Sequence, residues 1–153
     1  MPSSTATLRG ARAKASGRQF ENILAAMCAR SRIKFEQLPS GCRWIGKTAV
    51  PAKSPFDFIL AKNGKVILCD AKSIDATTFT RSACKPHQIE SLWDFEMSGL
   101  TAGFIVWLRA VDQVVFFKAS QLKDLPPRCS LKSSDGIQLG SVDTLTLEGL
   151  LNG

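Results

Sequence analysis

Phe20, Ile23, Leu24 and Met27 fall on one helical face, and Ser16 followed by Gln19 has the spacing of a capping box; together they predict a helix from about Gly17 to about Ala29. Ile33 to Leu38 reads as a short strand. Pro39 to Pro55, with Gly41 and Gly46 among the basic residues Arg43, Lys47 and Lys53, reads as a loop or a short irregular hairpin. Phe56 to Leu60 and Lys65 to Ala71 flank Asn63-Gly64, the strongest short hairpin signal. A polar stretch runs from Ser73 to Lys85. Pro86 then opens a second helix with Ile89, Leu92, Trp93 and Met97 inward and Gly99 as its stop. Phe104 to Leu108 and Val114 to Phe117 are nearly continuous apolar runs, as central strands covered on both faces are. From Pro126 onward, turn residues alternate with Ile137, Leu139, Leu145, Leu147 and Leu150, giving one strand-like piece and a short last helix. There is no internal repeat. Helix, strand, hairpin, helix and two strands in that order predict an α/β domain with a mixed sheet and helices on both faces.

Residues 16–153 are expected to form a single domain, since about 150 residues bury enough surface to fold without disulfides or a structural metal. No apolar run approaches the roughly 20 residues of a membrane helix, and the N-terminus lacks the apolar core of a signal peptide, so a cytoplasmic protein is expected. Five cysteines, without a C-x2-C pair, argue against a secreted disulfide framework and a zinc module.

Charge sharpens the picture. Residues 1–85 carry 15 Lys/Arg and 5 acids, whereas residues 86–153 carry 5 and 8. Residues 1–15, with Arg9, Arg12 and Lys14 and no acid, read as a flexible basic arm. A basic half of this kind suits a nucleic-acid backbone, where neutralised phosphates release counterions. The exceptions inside it are Glu21, Glu36, Asp57, Asp70 and Asp75. Carboxylates weaken a phosphate-binding surface unless they have another task.

The hairpin allows a register calculation. With Asn63 and Gly64 as the turn, Lys62 faces Lys65, and Asp57 therefore faces Asp70 on the same side of the sheet, with Lys72 two residues further along that side. Directly opposed side chains have Cβ atoms about 4.5–5.5 Å apart. Two charges at that separation repel by roughly 3 kcal/mol at an effective dielectric near 20. A divalent cation reverses the sign, and Mg²⁺, with Mn²⁺ as the alternative, prefers such hard oxygen ligands. The competing reading is a strand-end Asp57 and an exposed Asp70–Lys72 ion pair, worth about 0–1 kcal/mol. The buried run Val66-Ile67-Leu68-Cys69 leading into Asp70 speaks against it, because an unpaired carboxylate ending such a run is costly. Thr77, Thr78, Thr80, Arg81 and Lys85 form a polar, basic stretch suited to phosphate contacts. Arg18 and Lys53 are further candidate DNA contacts. His87, the single histidine, is not aimed at the carboxylates by anything in the sequence.

Pro55-Phe56-Asp57, a gap of twelve residues, then Asp70-Ala71-Lys72 resembles the PD-(D/E)XK nuclease signature. Gly17-Arg18-Gln19-Phe20-Glu21 resembles the first helix of one branch, the RecU-type Holliday-junction resolvases. Ala76-Thr77-Thr78-Phe79 with His87-Gln88-Ile89-Glu90 resembles the segment leading into its second helix. Phe104 to Arg109 with Val114 to Ser120 is similar to the two strands that follow, so the resemblance covers about residues 17–122. It implies a restriction-endonuclease-like core and a metal-dependent, homodimeric endonuclease acting on branched or duplex DNA. It further implies that Glu21, Asp57, Asp70, Lys72 and Gln88 make the catalytic site, with Glu21, Asp57 and Asp70 holding metal. Pro39 to Pro55 is much shorter than the projecting stalk of that family. A general or restriction-type nuclease and a non-catalytic DNA-binding module are the alternatives, and a binding module has no need of paired acids in its basic half.

Overall fold

In the computed structural model, residues 3–38, 41–52 and 54–151 are described, with the side chains of residues 3–15, 41–44 and 49–52 outside that description. The elements follow in the order α1 (Ser3–Arg30), β1 (Lys34–Gln37), β2 (Gly41–Ile45), β3 (Thr48–Ala52), β4 (Phe58–Lys62), β5 (Lys65–Ile74) and β6 (Thr78–Thr80). Then come α2 (Pro86–Met97), β7 (Thr101–Leu108), β8 (Gln113–Lys118), α3 (Ala119–Asp124), β9 (Ser130–Lys132), β10 (Ile137–Gly140) and α4 (Glu148–Leu151). Six strands form one mixed sheet in the order β1-β4-β5-β7-β8-β10, in which β5 and β7 run parallel and the other pairs antiparallel.

Strand alternation assigns the two faces. Phe58, Leu60, Ile67, Cys69, Ile105 and Phe116 point to one side, where Phe20, Leu24, Met27 and Cys28 of α1 and the apolar side chains of α4 close over them. Leu68, Phe104, Val106, Leu108, Val115 and Phe117 point to the other, under Ile89 and Leu92 of α2 and Ala119 and Leu122 of α3. This is the α/β arrangement of a mixed sheet flanked by helices that the apolar pattern predicts.

The hairpin at the centre has the expected turn. Asn63 and Gly64 both take positive φ, 53° and 80°, as a two-residue type I′ turn requires. Phe58 faces Cys69 and Lys62 faces Lys65, which is the calculated register. The parallel partner follows because α2 returns the chain beneath the sheet, so the C-terminal ends of β5 and β7 share one edge.

Several elements differ from the pattern-based expectation. The helix expected from Gly17 begins at Ser3, within the segment read as a basic arm. Ala, Leu, Arg and Lys in residues 6–14 are good helix formers, and no proline falls between Ser3 and Arg30 to interrupt them. Pro39 to Pro55 contains the β2–β3 hairpin, turning at Gly46 with φ of 62°. The polar stretch after Ala71 is partly strand, since β5 runs on to Ile74 and β6 pairs with β9. Met97, expected inward, is 58% exposed at the end of α2, whereas Gln88 is buried in its first turn. Helix α3 has too short an apolar pattern to be visible in sequence; Glu96 secures it, accepting hydrogen bonds from the Ser120 backbone N–H and hydroxyl at 2.8 and 2.7 Å.

Gly103 marks the tightest strand contact. A Cβ there would lie 2.1 Å from the Phe117 carbonyl oxygen and 2.9 Å from the Phe116 ring. Backbone cannot yield as a flexible side chain can, so Gly103→Ala is expected to cost on the order of 3 kcal/mol or more. Thermal denaturation should show it as a midpoint lowered by several degrees.

Candidate active site

The site is assembled at the centre of the sheet by the hairpin. Leu38 donates its backbone N–H to the Asp57 carbonyl at 2.8 Å, extending the β1–β4 pairing to the residue that carries the first acid. Phe56, 4% exposed, packs edge-on against Phe95 of α2 with ring centroids 5.4 Å apart and so pins the chain beside Asp57. Sequence reasoning passed over this anchor, although an aromatic residue directly before a motif acid was the available signal.

Asp70, in the middle of β5, is 0% exposed. Neither of its carboxyl oxygens accepts a hydrogen bond. Lys72 Nζ lies 3.1 Å from Oδ2, at ion-pair distance but off the direction of a hydrogen bond. The Asp57 carboxyl lies against Asp70, and two carboxyls in contact form a hydrogen bond only by sharing a proton. Burial first, and this contact with Asp57 second, push the Asp70 carboxyl up to about 8, with Lys72 acting in the opposite direction. The surface ion-pair reading of Asp70 and Lys72 is therefore excluded by burial.

Lys72 is itself partly enclosed, at 20% side-chain exposure, and donates to Gln88 Oε1 at 3.2 Å. Gln88 is 8% exposed in the first turn of α2 and faces the sheet. Glu21 comes from the opposite side: its helix lies on the other face of the sheet, and the side chain is half-buried within electrostatic reach of Asp57. Burial and then Asp57 raise its carboxyl above the ordinary value. Three thiols lie close by. Cys69 and Cys28 are buried on the α1 side and Cys84 on the α2 side, and burial raises all three, Cys28 to about 11 and Cys84 to about 12. They are packing residues, without the lowered acidity of a nucleophilic thiol.

The donor set fits a hard divalent cation held by few protein ligands. A buried carboxyl that accepts no hydrogen bond and has only the Lys72 ammonium at ion-pair distance, beside a second carboxyl, leaves oxygen lone pairs that a cation satisfies. Among the described residues no three His, Cys, Asp or Glu side chains close into a full cage. A cation retaining waters and taking phosphate oxygens needs none.

The other expected residues are placed less uniformly. Arg18 is exposed on α1, and Thr77 and Lys85 are exposed near the site end of α2. Thr78 lies in β6 opposite Lys132. Arg81, expected as a DNA contact, donates from Nη1 to the Leu125 carbonyl at 2.9 Å and ties the turn after β6 to the end of α3, which leaves its other guanidinium N–H groups outside that bond. Lys53 lies outside the described residues. His87 occupies the first turn of α2, beside Gln88.

A mixed sheet with helices on both faces and Asp57, Asp70 and Lys72 clustered on its central strands define a nuclease core of the PD-(D/E)XK type. The chain belongs to the RecU family, recombination protein U, whose model matches residues 28–147. Glu21 precedes the matched segment, so its place beside Asp57 rests on the geometry of α1. Among solved structures the fold is similar to Hjc of Archaeoglobus fulgidus, a Holliday junction resolvase from an archaeal hyperthermophile. The TM-score is 0.57 at 16% identity, covering 80% of this chain and 95% of that one. No curated protein matches the chain.

The pH behaviour of Asp70 is open to test. Folded, it keeps its proton to about pH 8; unfolded, it releases it near the ordinary value of 3.8. Between those limits the folded state binds more protons, so this group lowers stability as pH rises. In chelator, Asp70→Asn should melt several degrees above the unsubstituted protein at pH 8, and the difference should close towards pH 4, read by thermal denaturation across that range.

Proposed function

We propose that this protein is a divalent-metal-dependent, structure-selective endodeoxyribonuclease that resolves Holliday junctions as a homodimer. The observation that carries this reading is the buried, unsatisfied Asp70 carboxyl beside Asp57 and Lys72, in a chain of the RecU family. Asp57 and Asp70 hold the cation, while Glu21, expected as a third ligand, closes no three-carboxylate group with them in this structure and adds negative charge from the Asp57 side; Mg²⁺ is the physiological ion, and Mn²⁺ replaces it. Bound there, the cation supplies positive charge against the scissile phosphate and acidity to water.

The side chains do the rest. Lys72 presents its ammonium beside the reacting phosphate, orients the attacking water and offsets charge growing on phosphorus. Gln88 holds Lys72 in place through its Oε1. Low solvent exposure around Asp70 strengthens each of these electrostatic effects. Arg18, Thr77, Thr78 and Lys85 supply phosphate contacts around the site, and the basic balance of residues 1–85 draws the polyanion in. One such set of residues cuts one strand, so paired cuts across a junction need two chains related by a two-fold axis.

Asp70→Asn should abolish cleavage of a labelled four-way junction while binding, read by gel shift, stays within a few-fold, because the phosphate contacts remain. Near-normal cleavage by that variant would remove the metal-site assignment. For substrate and assembly, the purified protein is incubated with four-way junction, linear duplex and single strand, with and without Mg²⁺, and sedimented at micromolar concentration. Symmetric, Mg²⁺-dependent nicking of the junction by a dimer is expected. Equal attack on linear duplex would favour the general-nuclease alternative.

A further inference from the structure

Strand β1 is one edge of the six-stranded sheet, and among the described residues no strand pairs with its outer side. The Leu38 backbone N–H bonds inward to the Asp57 carbonyl. By the alternation of an antiparallel ladder, the N–H and C=O groups of Lys34 and Glu36 then also point to β4, and those of Phe35 and Gln37 point outward. An edge of this kind is a template for another strand, which proteins prevent with bulges, proline or charge of one sign. β1 pairs with β4 in unbroken register, contains no proline, and carries one charge of each sign.

Side-chain placement decides which strand fits. Phe35, opposite Leu60, packs on the α1 side of the sheet, with its ring 5.0 Å from that of Phe58. Lys34 and Glu36 lie on the other face, the face of Asp70; they pair with each other at 2.7 Å and keep 70% and 57% of their side chains exposed. A second β1 laid antiparallel against the first must oppose residues of like facing, so the registers with most overlap centre on Lys34, Phe35 or Glu36. Centring on Lys34 sets lysine against lysine, and centring on Glu36 sets glutamate against glutamate, both repulsive. Centring on Phe35 sets each Lys34 opposite the partner's Glu36. In that register the outward N–H and C=O groups of Phe35 meet those of the partner's Phe35 as a doubly hydrogen-bonded pair. Charge and backbone thus select the same register, and the strand is its own complement.

We propose that β1 is the dimer interface of this protein, two copies joining their sheets edge to edge with Phe35 on the two-fold axis. That axis stands perpendicular to the sheet, so both Asp70 faces turn to the same side. Asp57 is bonded to Leu38, three residues along from Phe35, and Asp70 is on the next strand over. At about 3.4 Å per residue and about 4.8 Å per strand, the two acid pairs stand roughly 25–30 Å apart on one continuous face. The inference rests on the homodimeric nuclease reading above and adds to it where the second copy sits.

The test is sedimentation of the full chain over a concentration series, in chelator, for the unsubstituted protein, Lys34→Glu, Glu36→Lys, the double swap Lys34→Glu/Glu36→Lys, and an equimolar mixture of the two single variants. Each single variant opposes like charges twice across the axis and is expected to weaken dimerisation roughly ten-fold or more. The double swap should restore it. The mixture should also recover dimers, because every lysine of one variant then meets a glutamate of the other, a recovery that damaged folding cannot produce. Single variants that dimerise as the unsubstituted chain does, or a loss that neither the swap nor the mixture reverses, would overturn the β1 interface. An unsubstituted chain that stays monomeric even on a four-way junction would instead overturn the homodimer reading, and this interface with it.

Discussion

Two carboxyl groups forced together by a two-residue turn are the constraint on which the rest of the site depends. Asn63 and Gly64 adopt left-handed backbone, and the resulting register carries Asp57 and Asp70 to the same level of the ladder. Neither acid chooses its neighbour; the hairpin does. Burial on the α2 side of the sheet then denies Asp70 the water that would screen it, and the Lys72 ammonium at 3.1 Å offsets that loss only in part. Metal-free, burial and then the Asp57 contact push the Asp70 carboxyl up, towards its protonated form, as expected of a site that lacks positive charge.

The surrounding elements make this arrangement tolerable. Phe56 against Phe95 and the Leu38–Asp57 backbone bond fix the first acid. The parallel β5–β7 pair, with α2 crossing beneath, brings Gln88 up to Lys72, so the lysine ammonium is held between the Asp70 carboxyl and the Gln88 side-chain oxygen. Helix α1, packed on the opposite face through Phe20, Leu24 and Met27, carries Glu21 towards Asp57 and turns its arginines outward. One helix thus contributes core, an acidic group near Asp57 and a basic outer surface, through three different faces.

Much of this was legible in the sequence because local rules govern it. Asn-Gly sets a turn, a turn sets a register, and a register places side chains two by two, so Asp57, Asp70 and Lys72 could be put on one face from residue numbers alone. Pro86 and Gly99 bounded α2 for similarly local reasons. What escaped depends on partners far along the chain. The tie from Arg81 to Leu125 spans 44 residues. Helix α3 is secured by Glu96 from another helix, and β6 finds its partner only in β9. The start of α1 escaped for the opposite reason: Ser16 and Gln19 imitate a helix start inside a helix that has no cause to stop there.

The central claim is that Asp57 and Asp70 form a cation site rather than a structural acid pair. The most direct measurement is the carboxyl carbon resonance of Asp70, followed by ¹³C NMR through a pH titration with and without Mg²⁺. In chelator Asp70 should titrate near pH 8, and Mg²⁺ should draw that titration down below neutrality by competing with the proton. Titration near pH 4 in chelator, or a curve that Mg²⁺ leaves in place, would contradict the account.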